Sequence, residues 1–171
     1  MALRAKAKAK TRAKQDAAAG ADGANEAIGK VLVVNDDEGS CELLCRLLER
    51  AGHSVERAAN PDQALSILDV LRPSCVVLDL SAGGVGRNLQ LLDAIRSQLD
   101  STVASTRVVL IAHQTSNRMF SWQAGTDAFL VRPFHADEFT RAVAEVQARP
   151  ESERAQFRRR EVAAASHDPA R

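Results

Sequence analysis

The stretch Cys75-Val76-Val77-Leu78-Asp79 limits the fold more than any other part of the chain. An apolar run without polar interruption stops abruptly at a carboxylate. Such a run suits a strand covered on both faces, as in a parallel sheet. A strand buried that way exposes chemistry only at its carboxyl end, where open α/β sheets place their sites. Asp79 stands at that end, ahead of the loose loop from Leu80 to Asn88. Alone, Asp79 reads as a helix N-cap or polar strand terminus as readily as it does as a site residue. A second run, Val31-Leu32-Val33-Val34, ends in Asn35-Asp36-Asp37 and repeats the pattern. The repetition tips the reading towards a shared site.

Periodicity between and after these runs supplies the rest of the frame. Cys41, Leu44, Cys45 and Leu48 recur at helical spacing, and Gly52 closes that helix at C′. A short strand follows near Ser54–Ala58. Asn60-Pro61-Asp62-Gln63 then offers an N-cap, a proline at N1 and a capping-box partner. Ala64, Ile67, Leu68 and Leu71 make the buried stripe of the second helix, which Pro73 ends. The third helix is expected near 89–99, burying Leu91, Leu92, Ile95 and Leu99. Arg107–Ala112 reads as the fourth strand, residues 117–124 as a short helix closed by Gly125, and 127–131 as the fifth strand. Phe139, Ala142, Val143 and Val146 line the last core helix, with Asp137 and Glu138 near its positive end. Five β/α units with right-handed crossovers predict an α/β fold with one parallel sheet covered on both faces.

Composition fits a single domain of aliphatic interior: 171 residues, 45% hydrophobic but only 4% aromatic. No apolar run approaches the roughly 18–20 residues of a membrane span, and no signal-peptide pattern is present, so the chain reads as cytoplasmic. The three cysteines lack metal-type pairing and read as small core hydrophobes. The four histidines, His53, His113, His135 and His167, show no ligand spacing, although His113 falls beside the expected site. Phe120 and Trp122 straddle Ser121 on the fourth helix, so both cannot face the core. An exposed aromatic there is a candidate partner anchor.

Charge divides the chain into three segments. Residues 1–29 carry six basic and three acidic side chains, residues 30–148 carry 11 and 15, and residues 149–171 carry six and four. The first segment, rich in Ala and Lys, reads as a flexible basic tail whose charge suits an acidic partner. The last reads as a second, Arg-rich tail, with Phe157 and Val162 its only sizeable apolar residues. Without aromatics for stacking or a base-reading motif in the tail, specific nucleic-acid recognition is not expected.

From about Lys30 to Ala148 the chain resembles the receiver domain of two-component response regulators. The motifs that carry the resemblance are Val33-Val34-Asn35-Asp36-Asp37, Val76-Val77-Leu78-Asp79, Ala124-Gly125-Thr126-Asp127-Ala128-Phe129 and Leu130-Val131-Arg132-Pro133-Phe134. Each is weak singly, and their order at four strand ends is specific. The resemblance implies a flavodoxin-like fold with five strands in the order 2-1-3-4-5 and its site at the switch between the first and third strands. It makes Asp79 the phosphoacceptor, a carboxylate nucleophile that forms an acyl phosphate. It makes Asp36 and Asp79 ligands to Mg²⁺, with the Ser81 backbone carbonyl completing the set. Phe129 takes the place of the switch aromatic, and Pro133 that of the usually cis proline. The partners implied are a histidine kinase or another signalling protein, docking on the surface formed by the fourth helix, fifth strand and fifth helix.

Three departures fall in the site itself. Asn35 stands where the first of an acidic pair is expected, which removes a charge from the metal cluster and predicts weak Mg²⁺ binding; Asp37 is the candidate to restore it. Arg132 stands where a lysine is expected, keeping the charge on a wider planar fork, and no lysine occurs after Lys30. Ala112 stands where a Ser or Thr hydroxyl is expected, and Thr115 is too far along to replace it. The loop after Asp79 carries Gly83, Gly84 and Gly86 and lacks the family's usual proline. The leading expectation is a stand-alone, non-enzymatic signalling protein acting by contact. The alternatives are a phosphorylation-independent adaptor and, more remotely, a small-ligand or phosphotransfer enzyme on the same sheet, which the lack of a Gly-rich loop after the first strand disfavours.

Overall fold

The computed structural model describes residues 29–80 and 85–167. Five strands form one sheet: β1 (Lys30–Asn35), β2 (Ser54–Ala58), β3 (Cys75–Asp79), β4 (Arg107–Ala112) and β5 (Ala128–Val131). All pairings are parallel and the order is β2-β1-β3-β4-β5. The helices are α1 (Glu38–Arg50), α2 (Pro61–Leu71), α3 (Val85–Arg96), α4 (Arg118–Gln123), α5 (Ala136–Ala148) and α6 (Glu151–Ser166), with a further helical turn at Ser101–Ala104.

Alternation along each central strand feeds two cores. Val31, Val33, Val77, Val109 and Ile111 point to one face, where α1 brings Cys41, Leu44, Cys45 and Leu48 and α5 brings Phe139, Val143 and Val146. Leu32, Val34, Val76, Leu78 and Val108 point to the other, against Ala64 and Leu68 of α2 and Leu91, Leu92 and Ile95 of α3. Each Val, Leu, Ile or Phe among them contributes about 1.5–3 kcal/mol relative to exposure. The cysteines are free and buried, as small hydrophobes should be. Local signals hold as well: Asn60 accepts the Gln63 N–H at 2.9 Å, and Gly52, just beyond α1, takes φ +93°.

Two expectations change. Helix α3 starts earlier and ends sooner than predicted, leaving Leu99 fully exposed rather than buried. The polar positions Gly86, Arg87 and Asn88 are helical because Asn88 is itself buried and bonded, which hydrophobic spacing cannot show. The second change is larger. Residues 151–166 are not a tail but helix α6, laid against α4. Trp122 and Phe157 meet edge to face at 5.8 Å, and the Arg149 guanidinium lies 3.5 Å from the Phe157 ring centre. Arg154 supplies the rest by pairing with Asp127, at the entry to β5. The basic segment 1–28 lies outside the described residues. Among the described residues no helix is long and apolar enough to cross a membrane.

Candidate functional site

The site lies where β1 and β3 end together, Asn35 opposite Asp79 in register. Neighbouring connections leave this point in opposite directions, which opens a crevice at the carboxyl edge. The Asp79 side chain sits at its floor with only 3% of the residue exposed. Burial pushes its carboxyl above the ordinary value, and the hydrogen bond and charge of Arg132 pull it back part of the way.

Each neighbour is placed by its own element. The Asn35 amide donates from Nδ2 to Asp79 Oδ2 at 2.8 Å, while its Oδ1 accepts the Asp37 N–H at 2.8 Å. That second bond fixes which way round the amide lies, because only its NH2 can then face the carboxylate. Asp37 does not return a charge to the cluster. Its carboxylate caps α1, accepting the Ser40 N–H at 2.8 Å, and the Ser40 hydrogen bonds hold its pKa low. Asp36 is close enough to raise the Asp79 pKa further.

Arg132 reaches the same oxygen, Asp79 Oδ2, from the end of β5. Its backbone N–H is tied to Ala112 O at 2.9 Å, and its guanidinium lies 5.3 Å from the centre of the Phe134 ring. Phe134 in turn stacks on buried Phe139 at 5.9 Å. The Arg132–Pro133 bond is cis. Ala112 closes β4 with a buried methyl group and no hydroxyl. It lines a pocket of 290 Å³ with Leu80, Asn88 and His113. Phe129 is half-buried on β5, in a groove of 220 Å³ between α5 and α6.

Sequence reasoning overlooked Asn88. Its Oδ1 accepts the Leu80 N–H at 3.0 Å and its Nδ2 donates to Leu80 O at 3.2 Å, pinning the residue after Asp79 to α3. An asparagine among loop-like residues gave no signal, since its role depends on contacts across the turn. Ser81, the expected carbonyl ligand, lies outside the described residues, as do Gly83 and Gly84.

The donor set does not suit a divalent cation as it is arranged. Mg²⁺ needs oxygen ligands in near-octahedral order. Here the Asn35 oxygen is turned to a backbone amide, its NH2 faces Asp79, and a guanidinium occupies the same carboxylate oxygen. Among the described residues no group of three or more His, Cys, Asp or Glu side chains is placed to hold a metal. Among the described residues, Asn35 and Arg132 are therefore not arranged as the expected Mg²⁺ site requires.

The response regulator receiver domain profile matches residues 31–144. The chain belongs to the response regulator receiver family. The receiver fold is shared with CheY4 of Vibrio cholerae, at TM-score 0.61 and 24% identity over 68% of this chain and 97% of that one. It is shared too with the receiver domain of Francisella response regulator 1452, at TM-score 0.61 and 23% identity over 70% and 96%. Among curated relatives, response regulator MprA of Mycolicibacterium vanbaalenii is 34% identical over 110 residues, covering 64% of this chain and 46% of that protein. Response regulator Rre1 of Synechocystis is 32% identical over 125 residues, covering 71% and 53%. This receiver chain thus spans about half the length of the curated relatives it matches.

Proposed function

We propose that this receiver works as a two-component signalling module through protein–protein contact, with Asp79 as its phosphoacceptor. The observation that carries the reading is the seat of Asp79, a buried carboxylate ending the central strand with the Arg132 guanidinium upon it. In phosphoryl transfer an Asp79 oxygen attacks phosphorus, the new oxygen–phosphorus bond forms, and the donor's leaving group departs with its electron pair. A histidine kinase or another signalling protein supplies the phosphoryl group. Arg132 is then the nearest cation for the phosphoryl oxygens, and its fork suits them. Output passes through the face made by α4, β5 and α5, in the cytoplasm where receiver proteins work.

A second reading has its own support. In the receiver family a hydroxyl at the end of the fourth strand bonds the phosphoryl oxygen and thereby couples it to the aromatic on the fifth. Ala112 has no hydroxyl, so that link from Asp79 to Phe129 lacks an atom. This favours a phosphorylation-independent adaptor that presents one preset surface. Exposure to a small phosphodonor, with and without Mg²⁺ and followed by intact mass, separates the two. The phosphoacceptor reading expects gain of one phosphoryl group, lost in Asp79→Asn. An unchanged mass under both conditions leaves the adaptor.

A further inference from the structure

We infer that Arg132 is the resident cation of the Asp79 site, and that a divalent metal competes with it instead of completing it. Two donors, Asn35 Nδ2 and Arg132 Nη2, converge on one carboxylate oxygen. Neither group has a lone pair to offer a metal in this arrangement. A divalent ion bound at Asp79 Oδ2 would have to displace the guanidinium. Asn35 could lend such an ion an oxygen only by turning its amide over, which breaks the 2.8 Å bond from the Asp37 N–H.

Both groups are braced. The Arg132 backbone is bonded to Ala112 O, and its guanidinium rests over Phe134, which stacks on a buried ring. Asn35 is itself buried on the last residue of β1. Asp37, the carboxylate expected to restore the charge that Asn35 removes, is committed to the α1 cap. The site therefore carries its own positive charge on a covalent tether, and the neutral amide replaces a carboxylate that would otherwise repel Asp79. This holds whether or not Asp79 accepts a phosphoryl group.

The test is a Mg²⁺ titration of the full isotope-labelled chain by NMR, with no phosphodonor present. The reporters are the side-chain signals of Asn35 and Arg132 and the backbone signals of Asp79 and Leu80. In wild type these signals are expected to stay in place through the low-millimolar range typical of weak oxygen sites. Asn35→Asp restores a carboxylate and Arg132→Gln removes the competitor. Either is expected to bind Mg²⁺ about ten- to a hundredfold more tightly than wild type, with the gain abolished by adding Asp79→Asn. Arg132→Lys, which keeps the charge but not the fork, serves as a milder variant should the others fail to fold. Saturation of the wild-type signals by Mg²⁺, lost in Asp79→Asn, would overturn the inference. So would folded variants that bind no better than wild type.

Discussion

Arg154 and Asp127 form a two-pronged ion pair with both side chains 2% exposed: Nε reaches Oδ1 at 3.0 Å and Nη2 reaches Oδ2 at 2.8 Å. Asp127 Oδ2 also accepts the Val108 N–H at 2.9 Å, so one carboxylate ties α6 to the sheet. Truncating Arg154 removes both short bonds to this buried carboxylate and leaves it only the longer ion pairs to Arg96 at 3.4 Å and Arg158 at 3.7 Å. Arg154→Ala is expected to cost about 1.5–3 kcal/mol and to release α6. Urea unfolding measures the loss, and amide exchange across 151–166 shows the release. Unchanged protection in that helix would show that Trp122 and Phe157 hold it unaided.

The two aromatics of α4 have opposite duties. Trp122 is buried under Phe157, whereas Phe120 is 54% exposed. Trp122→Ala is expected to destabilise the fold by about 3–5 kcal/mol. Phe120→Ser should stay within about 0.5 kcal/mol of wild type while weakening partner capture. Chemical denaturation of both variants checks the contrast, and equal losses would refute it.

The pH dependence of stability follows from Asp79. Burial sets its native carboxyl above the ordinary value, opposed by Arg132. A raised native value means that the folded chain keeps this proton more readily than the unfolded one. That contribution is complete below the unfolded pKa, about 4, and is lost as pH rises through the native value. Arg132→Gln removes the opposing charge, so its stability should fall more steeply from about pH 4 towards neutrality than that of wild type. Urea midpoints across this range measure the slopes, with Asp79→Asn as the control that removes the titrating group. Parallel profiles for wild type and Arg132→Gln would count against the coupling.

Coupling from Asp79 to Phe129 is expected to be weak. A ligand that contacts two states equally shifts neither, and the Ala112 methyl offers a phosphoryl group nothing to bond. Phosphorylation should change partner affinity by less than tenfold, roughly 1.4 kcal/mol, and leave the Phe129 ring signals nearly in place. Ala112→Thr supplies the hydroxyl and should enlarge both responses. A tenfold or greater response in wild type, lost in Asp79→Ala, would disprove the preset surface.

Much of this was legible in the residues. Uninterrupted runs such as Val31–Val34 and Cys75–Leu78 mark strands covered on both sides, and the Cys41–Leu48 stripe marks its helix, because burial of aliphatic area drives both. The departures at Asn35, Ala112 and Arg132 were visible as residue types. Their arrangement was not, since the direction of the Asn35 amide depends on a backbone donor two residues on. The docking of helix α6 was not legible for a related reason. Hydrophobic spacing tracks apolar burial, and α6 is anchored largely by an arginine whose partner lies 27 positions earlier. Leu99 failed in the opposite sense: an apolar residue at suitable spacing, but beyond the end of its helix.

Helix α6 also changes what a visitor to the β5 side of the molecule can read. Phe157 and Glu161 stand beside Phe129 and Arg141 along the groove between α5 and α6, and Arg118 of α4 reaches Glu161 at 3.5 Å. The address presented there is spelled by two distant stretches of chain. Glu161 belongs to neither core, so a substitution there would alter this surface while the sheet and Asp79 stay as they are.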